Sequence, residues 1–180
     1  RENICTKLGD VERNMQDVLN REQNTRAGYV YIISNVGSFG ENVYKIGVTR
    51  RLDPQERVDE LGDASVPFDF DVHAWIKSDN APALEHRLQK RFLAMQLNKV
   101  NSRKEFFRVT LKDIREEVDR LSQEEPFTIT HWTDAAAATQ YRESLDIESN
   151  PDKLQKWLQR QEALADRELR LDGLRLTVAD

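Results

Sequence analysis

Cysteine is almost absent: Cys5 is the one thiol in 180 residues. A single thiol excludes an internal disulfide framework and a thiolate zinc site, and it suits a reducing compartment. Histidine is nearly as scarce. His73, His86 and His131 are too scattered for a metal triad, and each reads as a surface residue. Long apolar runs are missing, so no segment of this sequence can span a bilayer. The sequence starts at Arg1 rather than methionine and reads as a piece of a longer protein. No phosphate-cradling glycine loop is present, since "SFGENVYKIG" lacks strand–loop–helix context, and no nucleophile elbow or internal repeat appears.

The charge that is present is unevenly placed. The formal net charge of −5 argues against a uniformly basic nucleic-acid binder. Yet residues 86–112 carry eight bases against Glu105 alone. That block is a reasonable footprint for phosphate. Residues 28–85 are net −5 and residues 113–180 net −7.

Periodicity divides the chain into three parts. In residues 1–27, Ile4, Leu8, Val11, Met15 and Val18 form a narrow helical stripe, a candidate surface for self-association or contact with an upstream region. Residues 28–121 switch to a strand period. "GYVYIIS" and "VYKIGV" read as an antiparallel hairpin joined by the loop "NVGSFGEN". "DPQERVDELG" is a short helix with Asp53 as N-cap, Pro54 at N1, Glu56 completing a capping box and Gly62 as the stop. "PFDFDVHAWIK" is a third strand, with Phe68, Phe70, Val72, Ala74 and Ile76 inward and Asp69, Asp71, His73 and Trp75 outward. A helix follows with the stripe Leu84, Leu88, Phe92 and Met95, then a short strand "EFFRVTL" and a helix capped by Thr110. Residues 122–180 read as an acidic helical extension, beginning with "HWTDAAAATQYRESL". The fold class is α+β, a small mixed or antiparallel sheet in the order β-β-α-β-α-β-α, flanked by helices at both ends.

Within this core a dispersed set of side chains has the chemistry for phosphodiester hydrolysis. A tyrosine such as Tyr31 or a lysine such as Lys45 can take or relay a proton. Arg57 can clamp a phosphate. One carboxylate, Glu85, can hold a hard divalent cation whose other ligands are phosphate and water. Each also has an ordinary reading. Tyr31 is a cross-strand aromatic, Lys45 a solvated strand lysine, Arg57 a partner of Asp53 or Glu60, and Glu85 a partner of Gln89 or a nearby arginine. Tyr44, one residue from Lys45, projects from the opposite strand face and reads as core. Glu105 reads as structural, tying the last strand to the basic block.

"YVY" followed by "YKIG", Arg57 ten residues beyond Gly47, "ALEHRLQKRF" and "RKEFFRV" together resemble the GIY-YIG nuclease superfamily, in its phage and bacterial branch where KIG commonly replaces YIG. The resemblance spans about Gly28 to Leu121. It implies a metal-dependent endonuclease using Mg²⁺ or Mn²⁺ on DNA or RNA, DNA first. Tyr31 matches the GIY tyrosine, as general base or water-positioning group, and Lys45 stands where the YIG tyrosine stands. Arg57 matches the arginine on the scissile phosphate, Glu85 the metal-binding glutamate, and Asn98 or Asn101 the amide after that helix. Arg50, Arg51, Arg87, Lys90, Arg91, Asn98, Arg103 and Lys104 are the expected nucleic-acid contacts. The branch further implies phage defence or a mobile element, in the cytoplasm of a bacterial or phage-infected cell, with membrane attachment through an upstream region left open. Two departures matter: Lys45 replaces a phenol, and Gln89 stands where a histidine is expected. A catalytically degenerate module that binds nucleic acid or protein is the alternative these departures define.

Overall fold

The computed structural model describes residues 25–63 and 65–177, with side chains through residue 171. The stripe from Ile4 to Val18 and Cys5 lie outside the described residues. Contacts divide the chain into two units at Ala138 and Thr139. No described helix is long and apolar enough to cross a membrane.

The first unit is built on an antiparallel sheet. Strand β1 (Gly28–Ser34) pairs with β2 (Val43–Thr49), placing Tyr31 opposite Gly47 and Ile33 opposite Lys45. The connection is not an open loop. It closes into one helical turn, α1 (Val36–Phe39), because the Asn35 side chain accepts the Ser38 amide. Helix α2 (Gln55–Asp63) follows, and the Asp53 carboxylate accepts the Gln55 amide at 2.9 Å. It runs through Gly62 to Asp63 rather than stopping there, and Glu56 lies near Arg51 instead of closing a capping box.

Strand β3 (Asp71–Ser78) adds to the other side of β1. Its register slips at one point: Ile32 faces Ala74 and Ile33 faces Val72, so His73 is the extra residue of a bulge. A one-residue slip reverses the faces beyond it. Val72 therefore joins Tyr31, Ile33, Val58, Phe70 and Trp75 on one face, while Ala74 and Ile76 face the other. The expected alternation fails here, and the expected surface histidine is buried. His73 lies edge-on to Tyr44, with centroids 5.2 Å apart. Its Nδ1 donates to the Thr133 carbonyl at 2.9 Å, which leaves Nε2 to accept from the Ser34 hydroxyl at 2.7 Å. Burial holds its pKa below 6.5.

Helix α3 (Ala81–Arg91) buries Leu84 and Leu88 and ends in a 3₁₀ turn, Leu93–Met95. That turn breaks the period, so Phe92 stays buried while Met95 turns outward. Strand β4 (Phe106–Arg108) pairs with β2, and helix α4 (Leu111–Ser122) is capped by Thr110, which accepts the Asp113 amide at 3.1 Å. A fifth strand, β5 (Thr128–Trp132), pairs with β3 where a helix was expected from His131 onward. The β-branched and aromatic run "TITHW" suits a pleated edge. The sheet order is β4-β2-β1-β3-β5. Helices α3 and α4 cover Val30, Ile32, Tyr44, Ile46, Ala74 and Ile76; Val58 of α2 packs against the opposite face.

The second unit holds α5 (Thr139–Ser149) and α6 (Pro151–Thr177). The Asn150 side chain accepts the amides of Asp152 and Lys153 at the start of α6, and Lys153 pairs with Asp146.

Because the unfolded chain protonates His73 near pH 6.5 and the folded chain resists it, this residue's contribution to stability is present above pH 6.5 and lost as pH falls below that value through the lower folded-state pKa. In urea denaturation, His73→Gln should flatten the stability slope between pH 7 and pH 5; an unchanged slope contradicts the buried neutral imidazole.

Candidate active site

The site follows from how short β4 is. Its three residues cover β2 only from Val43 to Lys45, leaving the Ile46–Thr49 edge without a strand partner. Exposed edge amides and carbonyls must find partners. Helix α3 supplies them. Gln89 Nε2 donates to the Ile46 carbonyl at 2.9 Å, and the Glu85 carboxylate accepts the Val48 amide. These two side chains are four residues apart and so share one helix face. Gln89 thus has an edge-capping role at the position where a histidine was expected. The remaining Ile46 amide donates to the Glu105 carbonyl at 3.3 Å.

Four elements converge beside this edge. Tyr31 comes from β1, its ring seated directly on Gly47 of the neighbouring strand. A Cβ at Gly47 would stand 2.5 Å from the Tyr31 Cζ, so the glycine is required by the phenol. Trp75 closes on the ring edge-to-face at 6.2 Å. Arg57, half-buried on α2, hydrogen-bonds the phenol and lies 3.4 Å from Glu60. Lys45 projects from the same face of β2 as Gly47. It is 8% exposed, and its ammonium pairs with Glu105 at 2.8 Å beside the Phe106 ring. Glu85 arrives from α3. Tyr44 occupies the core on the opposite face, as its one-residue offset requires.

Electrostatics bind these groups into one unit. Burial, with lesser repulsion from Glu105, raises Glu85 to about 7; Lys45 and the Val48 amide act in the opposite direction. Burial raises Tyr31 to about 12, opposed by the charge and hydrogen bond of Arg57. Tyr31 is therefore a neutral phenol at physiological pH. It can accept a hydrogen bond from water and donate its own proton, but it is a poor source of phenolate. Glu105, read from sequence as structural, is an electrostatic member of the site. The signal for it was its position as the only acid among eight bases.

The expected nucleic-acid contacts differ in what already engages them. Arg87 is tied to Glu124 and Glu125, and Arg91 lies 3.5 Å from the buried Glu117 carboxylate. Arg87 reaches the residues just past α4 and Arg91 reaches α4 itself, both away from the α3 face that carries Glu85 and Gln89. Arg51 forks onto Glu60 and Arg50 bonds the Thr25 carbonyl. Asn98 accepts the Val100 and Asn101 amides, and the Asn101 side chain accepts the Arg103 amide. The side chains of Lys90, Arg103 and Lys104 are exposed and form no ion pair among the described residues.

Residues 28–122, more than half of the chain, match the family model of the T5orf172 domain. The chain belongs to this family, a phage-associated, nuclease-like domain of endonuclease type. No curated protein and no solved structure matches it.

Two outcomes test the geometry. Gly47→Ala should destabilise the fold by about 1–3 kcal/mol in urea, since the Tyr31 ring must move to admit the methyl; a neutral substitution contradicts the seating. Glu85 holds its proton to about pH 7 when folded, against an ordinary value of 4.5. Its ionisation therefore costs stability as pH rises through that window, by up to ~3 kcal/mol above it. Glu85→Gln should stabilise the protein at pH 8 and leave it unchanged near pH 4; no gain at pH 8 contradicts the buried carboxyl.

Proposed function

We propose that this T5orf172-domain protein is a metal-dependent endonuclease of the GIY-YIG type that hydrolyses phosphodiester bonds of duplex DNA. The observation that carries the proposal is the convergence of Tyr31, Lys45, Arg57 and Glu85, from four different elements, on the open edge of β2. Each residue alone has an ordinary reading; their meeting beside one sheet edge is what supports the nuclease reading.

The donor set fits one hard divalent cation. No group of three or more His, Cys, Asp or Glu side chains able to hold an ion occurs among the described residues, so an all-protein cage is not available here. Glu85 is a carboxylate held in an unfavourable, partly desolvated place beside a second carboxylate, and a cation relieves that cost. Mg²⁺ or Mn²⁺ bound by Glu85, with water and phosphate as remaining ligands, would supply Lewis-acid polarisation of the phosphate and stabilise the leaving oxygen.

In this reading the protein's own groups divide the remaining work. Arg57 presents guanidinium N–H donors to the non-bridging phosphate oxygens, where negative charge grows in the transition state. Tyr31 orients the attacking water by accepting its hydrogen bond; as the water attacks, its proton passes to the phenol oxygen while the phenol's own proton leaves to solvent, so no standing phenolate is needed. Lys45 adds positive charge where the usual second phenol is missing, and Glu105 fixes its position. Glu85 shares its edge contact with the Val48 amide, so the carboxylate is aimed before substrate arrives. The family's phage association suits a role in phage defence or a mobile element.

A binding-only module is the second reading. It is favoured by the neutralisation of Lys45 by Glu105 and by the engagement of Gln89 with the Ile46 carbonyl.

The test is cleavage of an end-labelled DNA duplex with Mg²⁺ or Mn²⁺, with binding measured in parallel. The unmodified protein should cut only with metal. Glu85→Gln should lose at least about 100-fold in rate, and Arg57→Ala a similar factor. Duplex binding by Glu85→Gln should stay within about threefold of the unmodified protein, because phosphate contacts position the substrate independently of the chemistry. Tight binding with no cleavage by the unmodified protein establishes the binding-only module.

A further inference from the structure

The segment between α3 and β4 has an unusual surface. Val100 is 97% exposed at its tip, and Leu97 is exposed beside it. An apolar side chain so fully in water gains nothing from folding. The segment is nonetheless braced throughout. Gln96, itself buried, donates through Nε2 to the carbonyls of Ser102 and Lys104 at 3.0 and 2.9 Å. The Leu97 amide donates to the Phe106 carbonyl at 2.9 Å. Lys99 folds back onto the carbonyls of Ala94 and Gln96 at 2.6 Å each. Asn98 accepts the Val100 amide at 3.0 Å. The tip is a shaped projection whose own hydrogen bonds hold Val100 outward.

Its charge says what it meets. Arg103 and Lys104, just beyond the tip, are exposed and form no ion pair among the described residues, whereas Arg51, Arg87 and Arg91 are bound to carboxylates. An apolar point flanked by free cations matches a base stack flanked by phosphates. Topology adds location. β4 runs antiparallel to β2 with Phe106 opposite Lys45, and Glu105 follows Lys104 directly. The projection therefore emerges at the end of the sheet where the β2 edge lies open. Leu52, also fully exposed, follows the same end of β2.

We propose that the 97–104 loop is a nucleic-acid wedge: Val100 enters a DNA duplex at a base step while Arg103 and Lys104 hold the flanking phosphates. The proposal rests on the nucleic-acid reading above and adds the mode of contact. Partial unstacking at the wedge bends the duplex toward the protein and presents a backbone phosphate to the β2 edge, without sequence readout.

The test uses the full chain, a mixed-sequence duplex with 2-aminopurine at a TA step, and EDTA to prevent cleavage. Binding of the unmodified protein should raise 2-aminopurine fluorescence about twofold or more as the base unstacks. Val100→Ser should lose that rise and bind about tenfold more weakly. Arg103→Gln with Lys104→Gln should keep the fluorescence rise at saturation but reduce the slope of log K against log salt by about two. A rise that survives Val100→Ser, or no rise with the bound unmodified protein, overturns the wedge. So does a Val100→Ser variant that loses self-association while binding DNA normally, since the tip is then a protein contact. Cleavage with Mg²⁺ but no fluorescence rise removes the wedge and leaves the nuclease reading standing. A rise without cleavage supports the wedge and removes the nuclease.

Discussion

A β-strand whose partner ends too early leaves polar backbone groups that something must satisfy. In this protein that strand is β2. Strand β4 reaches only to Lys45, and the next groups along the edge are held by Gln89 and Glu85 of α3 and by the Glu105 carbonyl. The same constraint that fixes α3 against the sheet brings a carboxylate to a solvent-facing edge. It also removes the strand that would otherwise block access there. Structure and candidate chemistry are thus two consequences of one short pairing.

Charge balance at that edge is tight. Lys45 and Glu105 neutralise each other in a largely buried pair, which costs desolvation and is weak support for stability. Among the described residues Glu85 has no ion-pair partner, and it is held partly desolvated beside Glu105. The arrangement destabilises the ionised carboxylate, which a purely structural glutamate would gain nothing from. Sites that sacrifice stability in this way are where binding of a cation or a proton is expected. The two faces of α3 divide the roles. Glu85 and Gln89 serve the β2 edge, whereas Arg87 pairs with Glu124 and Glu125 just past α4 and Arg91 lies beside Glu117 of α4, so packing employs these two arginines of the basic block.

Much of this was legible in the sequence, for physical reasons that can be named. Period-2 runs located β1 and β2, and the one-residue offset of Tyr44 from Lys45 sent one ring to the core and the ammonium to the opposite face. The apolar spacing of α4, that of α3 as far as Phe92, and the Thr110 cap are local signals, and they hold. What failed depended on pairing between distant segments. A bulge at His73 exchanged the faces of Val72 and His73, and nothing within "DVHAW" announces it. The pairing of β5 with β3 overrode a helix reading of residues from His131 onward. Glu105 was read as tying the last strand to the basic block, whereas it pairs with Lys45 of β2, and its coupling to Glu85 requires the β4–β2 register. The division of the cations into paired and free was equally unreadable, because Glu117, Glu124 and Glu125 lie far along the chain from Arg87 and Arg91.

The account depends on the β2 edge beside Glu85 being where a divalent cation gathers. The most direct measurement is paramagnetic broadening in ¹⁵N–¹H spectra of the full chain during titration with sub-stoichiometric Mn²⁺, repeated with Glu85→Gln. The account predicts that the amides of Gly47, Val48 and Glu85 broaden first, and that this selectivity disappears in the variant. Broadening that begins in the acidic helices α5 and α6, or that is the same in Glu85→Gln, would contradict it.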